Sequence, residues 1–445
     1  MESKSPDDLD QAVLGAHNQY AKDHPSSLRS HQEACKYLPG GNTRTVLYTT
    51  PFPLTFVSGK GSTLTTADGH ELVDFLGEYT AGIYGHSNPV IRKAIEETLD
   101  QGWNLGGHNE SERELGRILC NRFLTIERVR FVNSGTEANM MAIATAVTFT
   151  GRSKVLIFYK GYHGGTICGG VPGTDPPINL PHDFVRAPYN DIEGTQKIVE
   201  DLPCQSLAAI LVEPMLGSSG CYVAKENFLA YLQSVSSDLG ALLIFDEVMT
   251  SRLSYQDMGL TKRFKPDLMT LGKWIGGGMS FGAFGGRADI MDMYDPRLGK
   301  LDHPGTFNNN IFSMNAGIAG CELLTQEVLK RLNDTGSAMA REIDRTLSSC
   351  GFEIVKPLAP IIDETSISRS QVIPVMYITG AGSLMNIHFS GPNKTQLQTL
   401  FWHHMLRHGI YLAQRGFVAL SIEITSSDVE RFVDAVRIFC QIWFP

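Results

Sequence analysis

Between about residues 130 and 290 the chain alternates short apolar runs with longer segments of helical periodicity. The runs Arg130–Val132, Val155–Phe158, Ala208–Val212, Ala241–Phe245, Leu268–Leu271 and Phe281–Phe284 are mostly continuous rather than alternating. Continuous apolar strands are buried on both faces, so the pattern predicts βαβ units and a largely parallel sheet with helices on each side. The segment 136–149 reads as a buried helix with an apolar face at positions 140, 143, 144 and 147, closed near Gly151.

The ends of the chain read differently. A leading helix precedes the loop Pro39-Gly-Gly-Asn-Thr-Arg44, with short strands expected near Leu54–Val57 and Leu72–Phe75. After residue 330 come a polar helix, a strand at Ser383–Phe389, a helix at Lys394–His408 and a last helix at Ser427–Phe444. An α+β unit assembled from both termini follows. The expected division is 1–75, 76–329 and 330–445, the middle segment forming the large domain. The stretch Val355–Val375, rich in Pro, Ser and Ile, is expected to be a surface excursion.

Charge changes the picture by exclusion. A formal net charge of -9 over 445 residues gives no footprint for nucleic acid or an anionic membrane surface. No run of about 18 uncharged apolar residues suggests a membrane span. The acidic, polar start is unlike a secretory or mitochondrial leader. The 8 cysteines are scattered without metal-ligand spacing, which points to reduced thiols in the cytoplasm.

Four predicted strand ends carry chemistry. Lys273 closes an apolar run directly before a glycine cluster, where poor hydration would lower its pKa and favour the nucleophilic free amine. Ser134, Gly135 and Thr136 open a helix, and backbone N–H groups there can hold a phosphate; Ser134 with Glu137 also fits a simple capping box. Tyr162, with His163 beside it, could stack on a flat ligand or occupy an ordinary turn. Asp246 and Glu247 end a strongly apolar strand on opposite sides; such paired acids can also ligate Mg²⁺. No P-loop and no dinucleotide-binding glycine pattern occurs. Pyridoxal phosphate explains all four together, since it needs an anion site, a stacking ring, an acid beside its pyridine nitrogen and a lysine amine to condense with its aldehyde.

The motifs Asn133-Ser-Gly-Thr-Glu-Ala138, Gly161-Tyr-His-Gly164, Glu213-Pro214, Asp246-Glu-Val-Met-Thr250, Gly272-Lys273 and Gly305-Thr-Phe-Asn308 resemble, in order and spacing, the class III aminotransferases of fold type I. The resemblance runs from about Pro39 to the C-terminus and is strongest to enzymes acting on aromatic β-amino acids such as β-phenylalanine. The carrying segments are Glu78–His86, Asp246–Arg252, Gly276–Gly286 and Arg415–Val418. Glutamate-1-semialdehyde aminomutases are also similar, but they usually follow Asp-Glu-Val-Met-Thr with Gly-Phe-Arg, where this chain has Ser251-Arg-Leu253.

The resemblance implies an α/β fold with a mostly parallel, seven-stranded sheet between helices and a small α+β domain. It implies a homodimer in which Thr306 reaches the phosphate of the neighbouring subunit, Val248 packs on the ring face opposite Tyr162, and Glu213 sits behind the ring near Asp246. Arg44 and Arg415 become carboxylate grips, although each could equally be a surface ion pair. Tyr79, Tyr84 and Phe417 become candidates for the wall of an apolar side-chain pocket. The implied reaction moves the amine of a β-amino acid to an α-keto acid such as 2-oxoglutarate or pyruvate, with no metal. Amino-group migration within glutamate-1-semialdehyde, another ω-amino transfer, and a non-catalytic protein that kept the fold are the alternatives.

Overall fold

The computed structural model describes residues 6–174, 176–255, 263–357 and 374–444. Contacts divide the chain into two units, one drawn from both termini (to Asn88, and again from Leu332) and one spanning Pro89–Arg331.

The Pro89–Arg331 unit is organised by a seven-stranded sheet. In chain order its strands are β1 Arg128–Val132, β2 Lys154–Phe158, β3 Asp183–Ala187, β4 Leu207–Val212, β5 Leu242–Asp246, β6 Leu268–Gly272 and β7 Gly282–Gly286. They lie in the order β1-β7-β6-β5-β4-β2-β3, and β7 alone runs antiparallel to its neighbours. Six of the seven strands are legible as apolar runs; the edge strand β3 is not, because its three apolar residues are interrupted by Arg186 and its burial is partial.

Period-two alternation sorts the strand residues between two cores. Leu242 and Ile244 of β5, Leu211 of β4 and Leu268 of β6 pack in one cluster with Ala138, Ala142, Ile143 and Ala146. Leu243, Phe245 and Val212 pack in the other with Phe228 and Leu232 of the Glu226–Leu239 helix. The helix Gly135–Thr150 therefore covers the face to which residues 242 and 244 point. Its buried side is not the one expected: Ala138, Asn139, Ala142, Ile143, Thr145 and Ala146 are buried, while Met140 and Ala144 are exposed. Alanines at 138, 142 and 146 let this helix approach the sheet closely with Ile143 packed beside them, while Met140 and Phe149 are left exposed.

The terminal unit is α+β. Phe56–Lys60, Thr63–Thr66 and Glu71–Asp74 form an antiparallel meander, and Ile410–Tyr411 joins it parallel to the third strand, in register Ile410↔Val73. A second sheet contains Met376–Ala381, Leu384–Phe389 and Phe417–Ala419. Thus residues from the two ends of the chain share one sheet. The surface excursion expected at Val355–Val375 falls mostly outside the described residues. Among the described residues no helix is long and apolar enough to cross a membrane.

Helices Pro6–Asp23 and Lys394–Arg407 of this unit meet through a run of ring contacts. His17 meets His403 at 5.2 Å, His403 meets Tyr20 at 5.2 Å, Tyr20 meets His24 at 4.6 Å, and His24 meets His70 at 4.8 Å. The Tyr20 hydroxyl donates to the Phe52 carbonyl at 2.9 Å. Burial pushes the His403 imidazole down to about 3, helped by His17, Arg407 and His24 and opposed by a backbone hydrogen bond with Thr50. Burial also lowers His17 and His24. A base held neutral in the folded state stabilises above its unfolded pKa, near 6.5, and that stabilisation is lost as pH falls toward the folded value. Thermal unfolding should therefore show a midpoint that drops steadily below about pH 6.5, and His403→Phe should flatten that drop.

Candidate active site

The chemistry-bearing residues of the central unit stand at the carboxyl ends of neighbouring strands, where open α/β sheets bind ligands. Val132 ends β1 and is followed by the helix start; Phe158 ends β2 ahead of Tyr162 and His163; Val212 ends β4 ahead of Glu213; Asp246 ends β5; Gly272 ends β6 ahead of Lys273.

Asp246 is the best-anchored of them. It is 4% exposed, and a buried carboxylate needs donors. Its Oδ2 accepts from Asn139 Nδ2 at 2.8 Å and pairs with His163 Nδ1 at 2.8 Å. Its Oδ1 accepts the Val248 backbone N–H at 3.0 Å. Glu247 points elsewhere and accepts from the Thr250 hydroxyl, so the two acids do not converge on one ion. His163 is buried behind Asp246 and holds it, a role more specific than the neighbour expected. Asn139 and its partner Thr270 escaped the sequence reading, since a helix-interior Asn and a strand Thr carry no motif signal of their own.

Glu213 sits close to this group. Its Oε2 accepts the Tyr162 backbone N–H at 3.0 Å and its Oε1 that of Gly217 at 3.1 Å, so the acid fixes the turn that presents Tyr162. Burial raises the Glu213 carboxyl to about 7; His163 opposes the shift and Asp246 adds to it.

The helix start is capped and still offers donors to an anion. Ser134 Oγ accepts the Glu137 N–H at 3.1 Å, and Glu137 Oε2 accepts the Asn133 N–H at 2.7 Å. The N–H groups of Gly135 and Thr136 belong to the first turn, where no intrahelical acceptor exists, so they remain available for an anion. A Cβ at Gly135 would lie 2.9 Å from both Val248 methyl carbons, and one at Gly164 would lie 2.5 Å from Thr136 Oγ1. These glycines let the helix start, the Val248 turn and the Tyr162 turn close on one another. Tyr162 leaves 47% of its surface exposed, an aromatic face open for stacking. Lys273 is half-buried and adopts φ 54°, a left-handed conformation that an L-residue takes only under tertiary constraint. First-turn N–H donors, an open aromatic face, an anchored carboxylate and a lysine at adjoining strand ends fit pyridoxal phosphate. Thr306 is exposed on a loop whose Asn308 accepts from Asn133 Nδ2 at 3.2 Å, next to the helix start.

The terminal unit gathers a second set. Arg44 pairs with Glu78, a partner the sequence did not reveal, and lies 5.6 Å from the Tyr79 ring centre. Arg415 lies 5.0 Å from the Tyr79 ring centre and 5.8 Å from that of Phe417. Tyr79 and Phe417 stack at 5.8 Å, and the Tyr79 hydroxyl donates to the Val46 carbonyl at 3.1 Å. Phe417 has no exposed surface, Tyr84 3% and Tyr79 7%, so within this unit all three expected wall residues are buried. Glu78, Tyr79 and Thr80 are all left-handed, with φ of 47°, 51° and 84°, a concentration of backbone strain typical of functional turns.

Gly135→Ala should force its new methyl against Val248. We expect a loss of about 1–3 kcal/mol in unfolding free energy, read by denaturant titration without cofactor, together with weaker cofactor retention in dialysis.

The family model for "Aminotransferase class-III" matches residues 47–351. The chain is 43% identical to a beta-phenylalanine transaminase of Variovorax paradoxus, over 97% of this chain and 96% of that protein. It is 32% identical to a glutamate-1-semialdehyde 2,1-aminomutase of Methanocella arvoryzae, over 94% and 98% of the two chains. The crystal structure of a beta-phenylalanine aminotransferase from Variovorax paradoxus superposes with a TM-score of 0.89 at 43% identity, covering 97% of each chain. The family model spans the strand-end residues from Ser134 to Lys273, with Arg44 and Arg415 outside its bounds, and the chain belongs to the class III aminotransferases, enzymes that depend on pyridoxal phosphate.

Proposed function

We propose that this transaminase takes its amino group from a β-amino acid with an aromatic side chain, of the β-phenylalanine kind, and delivers it to an α-keto acid such as 2-oxoglutarate or pyruvate. The observation that carries the reading is full-length 43% identity to a beta-phenylalanine transaminase, joined to two arginines gathered on an aromatic platform.

When bound, pyridoxal phosphate supplies an aldehyde that condenses with amines and a ring that draws electrons from the substrate carbon. Ser134, Gly135 and Thr136 hold its phosphate, with Thr306 contributing from the partner copy of a homodimer. Tyr162 and Val248 enclose the ring. Asp246 offers a carboxylate oxygen for the proton of the ring nitrogen, His163 holds it from behind, and Glu213 fixes the turn that presents Tyr162. Lys273 Nζ anchors the cofactor and moves the proton at the substrate Cβ. Arg44 and Arg415 offer planar forks for the carboxylates of donor and acceptor. Tyr79, stacked on Phe417, and Tyr84 are the candidates for the wall of a phenyl pocket. Free thiols at all eight cysteines suit a reducing compartment, and we assign the enzyme to the cytoplasm.

β-Phenylalanine added to the holoenzyme should shift the visible band to that of the amine form of the cofactor, and 2-oxoglutarate or pyruvate should restore it. No shift with any β-amino acid discards the substrate assignment; turnover of glutamate-1-semialdehyde without a keto acid favours the aminomutase. Lys273→Ala should lower kcat by at least about 10³-fold, given the usual weight of a covalent and acid–base group. An activity near that of the parent removes Lys273 from the mechanism.

A further inference from the structure

Asn139 and Thr270 are buried, have no place in the scheme above, and are bonded to each other, Asn139 also to Asp246. Asn139 is 1% exposed and Thr270 0%. One terminal atom of the Asn139 amide lies 2.8 Å from Asp246 Oδ2 and 3.0 Å from the His163 carbonyl oxygen. A carboxylate and a carbonyl can only accept, so that atom is the NH₂ nitrogen. The amide oxygen is thereby turned to Thr270 Oγ1, at 2.7 Å, and the hydroxyl must donate to it. A flipped amide would set its oxygen against two acceptors.

The fold supplies these positions. Thr270 is the register partner of Asp246 across the parallel β5–β6 pair. Both share parity with Ile244 and Leu268, which pack in the cluster containing the Gly135–Thr150 helix. On that helix Asn139 is three residues beyond Thr136, so the two lie on one side. A single helix thus carries the candidate phosphate contact on its first turn and the grip on Asp246 on its second.

We infer that Asn139 and Thr270 are positioning residues for the transamination: the Thr270 hydroxyl locks the Asn139 amide, the amide locks the rotation of the Asp246 carboxylate, and the helix sets the distance from anion site to acid. This rests on the reading that Asp246 faces the ring nitrogen of the cofactor. Asn139 and Thr270 touch neither cofactor nor substrate; they act through Asp246.

The test uses holoenzyme loaded with cofactor ¹⁵N-labelled at the ring nitrogen. Thr270→Val keeps the shape but removes the donor, Thr270→Ser restores the hydroxyl, and Asn139→Leu removes the amide. We expect Thr270→Val and Asn139→Leu to move the ring-nitrogen resonance toward the unprotonated form at neutral pH. They should also lower kcat about tenfold or more, the scale of one lost buried hydrogen bond, with KM for the amino donor changed less than about twofold. Thr270→Ser should return both readouts to near the parent values. An unmoved resonance and kcat in Thr270→Val and Asn139→Leu overturn the inference, as does Thr270→Ser behaving like Thr270→Val. Should those variants not fold, the unmodified holoenzyme decides: the Asn139 amide protons must be strongly protected from exchange, and rapid exchange overturns the lock. Asp246→Asn separates the layers. If it leaves the resonance in place, the reading of Asp246 fails; if it moves the resonance while Thr270→Val and Asn139→Leu do not, only this inference fails.

Discussion

A carboxylate taken out of water must be met by donors, and the central unit is arranged around meeting Asp246. The three donors come from three separate pieces of chain: the Gly135–Thr150 helix, the turn after β2, and the turn that follows Asp246 itself. None can move without exposing or orphaning the charge. The same pieces carry Ser134, Tyr162 and Val248, so satisfying one buried acid also places the candidate anion site and the two residues proposed to enclose the ring. Stability and function here share their hydrogen bonds.

Close backbone approach is the second constraint. Where the helix start meets Val248, and where the Tyr162 turn meets Thr136, there is no room for a Cβ. The glycines at 135 and 164 are therefore consequences of how tightly strand ends converge. Lys273 pays for the same convergence in its backbone, held left-handed between an extended Gly272 and the glycines that follow.

In the terminal unit the organising element is the left-handed turn at 78–80. It presents Glu78 to Arg44 and lays Tyr79 flat on Phe417, so two guanidinium groups gather on one aromatic platform. Arginine is suited to this twice over, since its planar group both stacks on a ring and keeps a fork for a carboxylate.

The apolar runs of β1, β2 and β4–β7 could be read without the structure because strands buried on both faces leave long hydrophobic signatures, and Lys273, Asp246, Tyr162 and Ser134 stood out as polar residues at the ends of such runs. Local order alone encodes these features. Asn139, Thr270 and Glu78 could not be found that way, since each acquires meaning only from a partner 131, 131 and 34 residues distant in the chain. The buried side of the Gly135–Thr150 helix differs from the expected one for a related reason: apolar periodicity placed Met140 and Ala144 inside, whereas the packing is made through Ala138, Ala142, Ile143 and Ala146. Sequence determined which segments become strands and which polar residues end them; tertiary packing decided which side chains meet, because hydrogen bonds and steric fit depend on through-space distances that no local pattern contains.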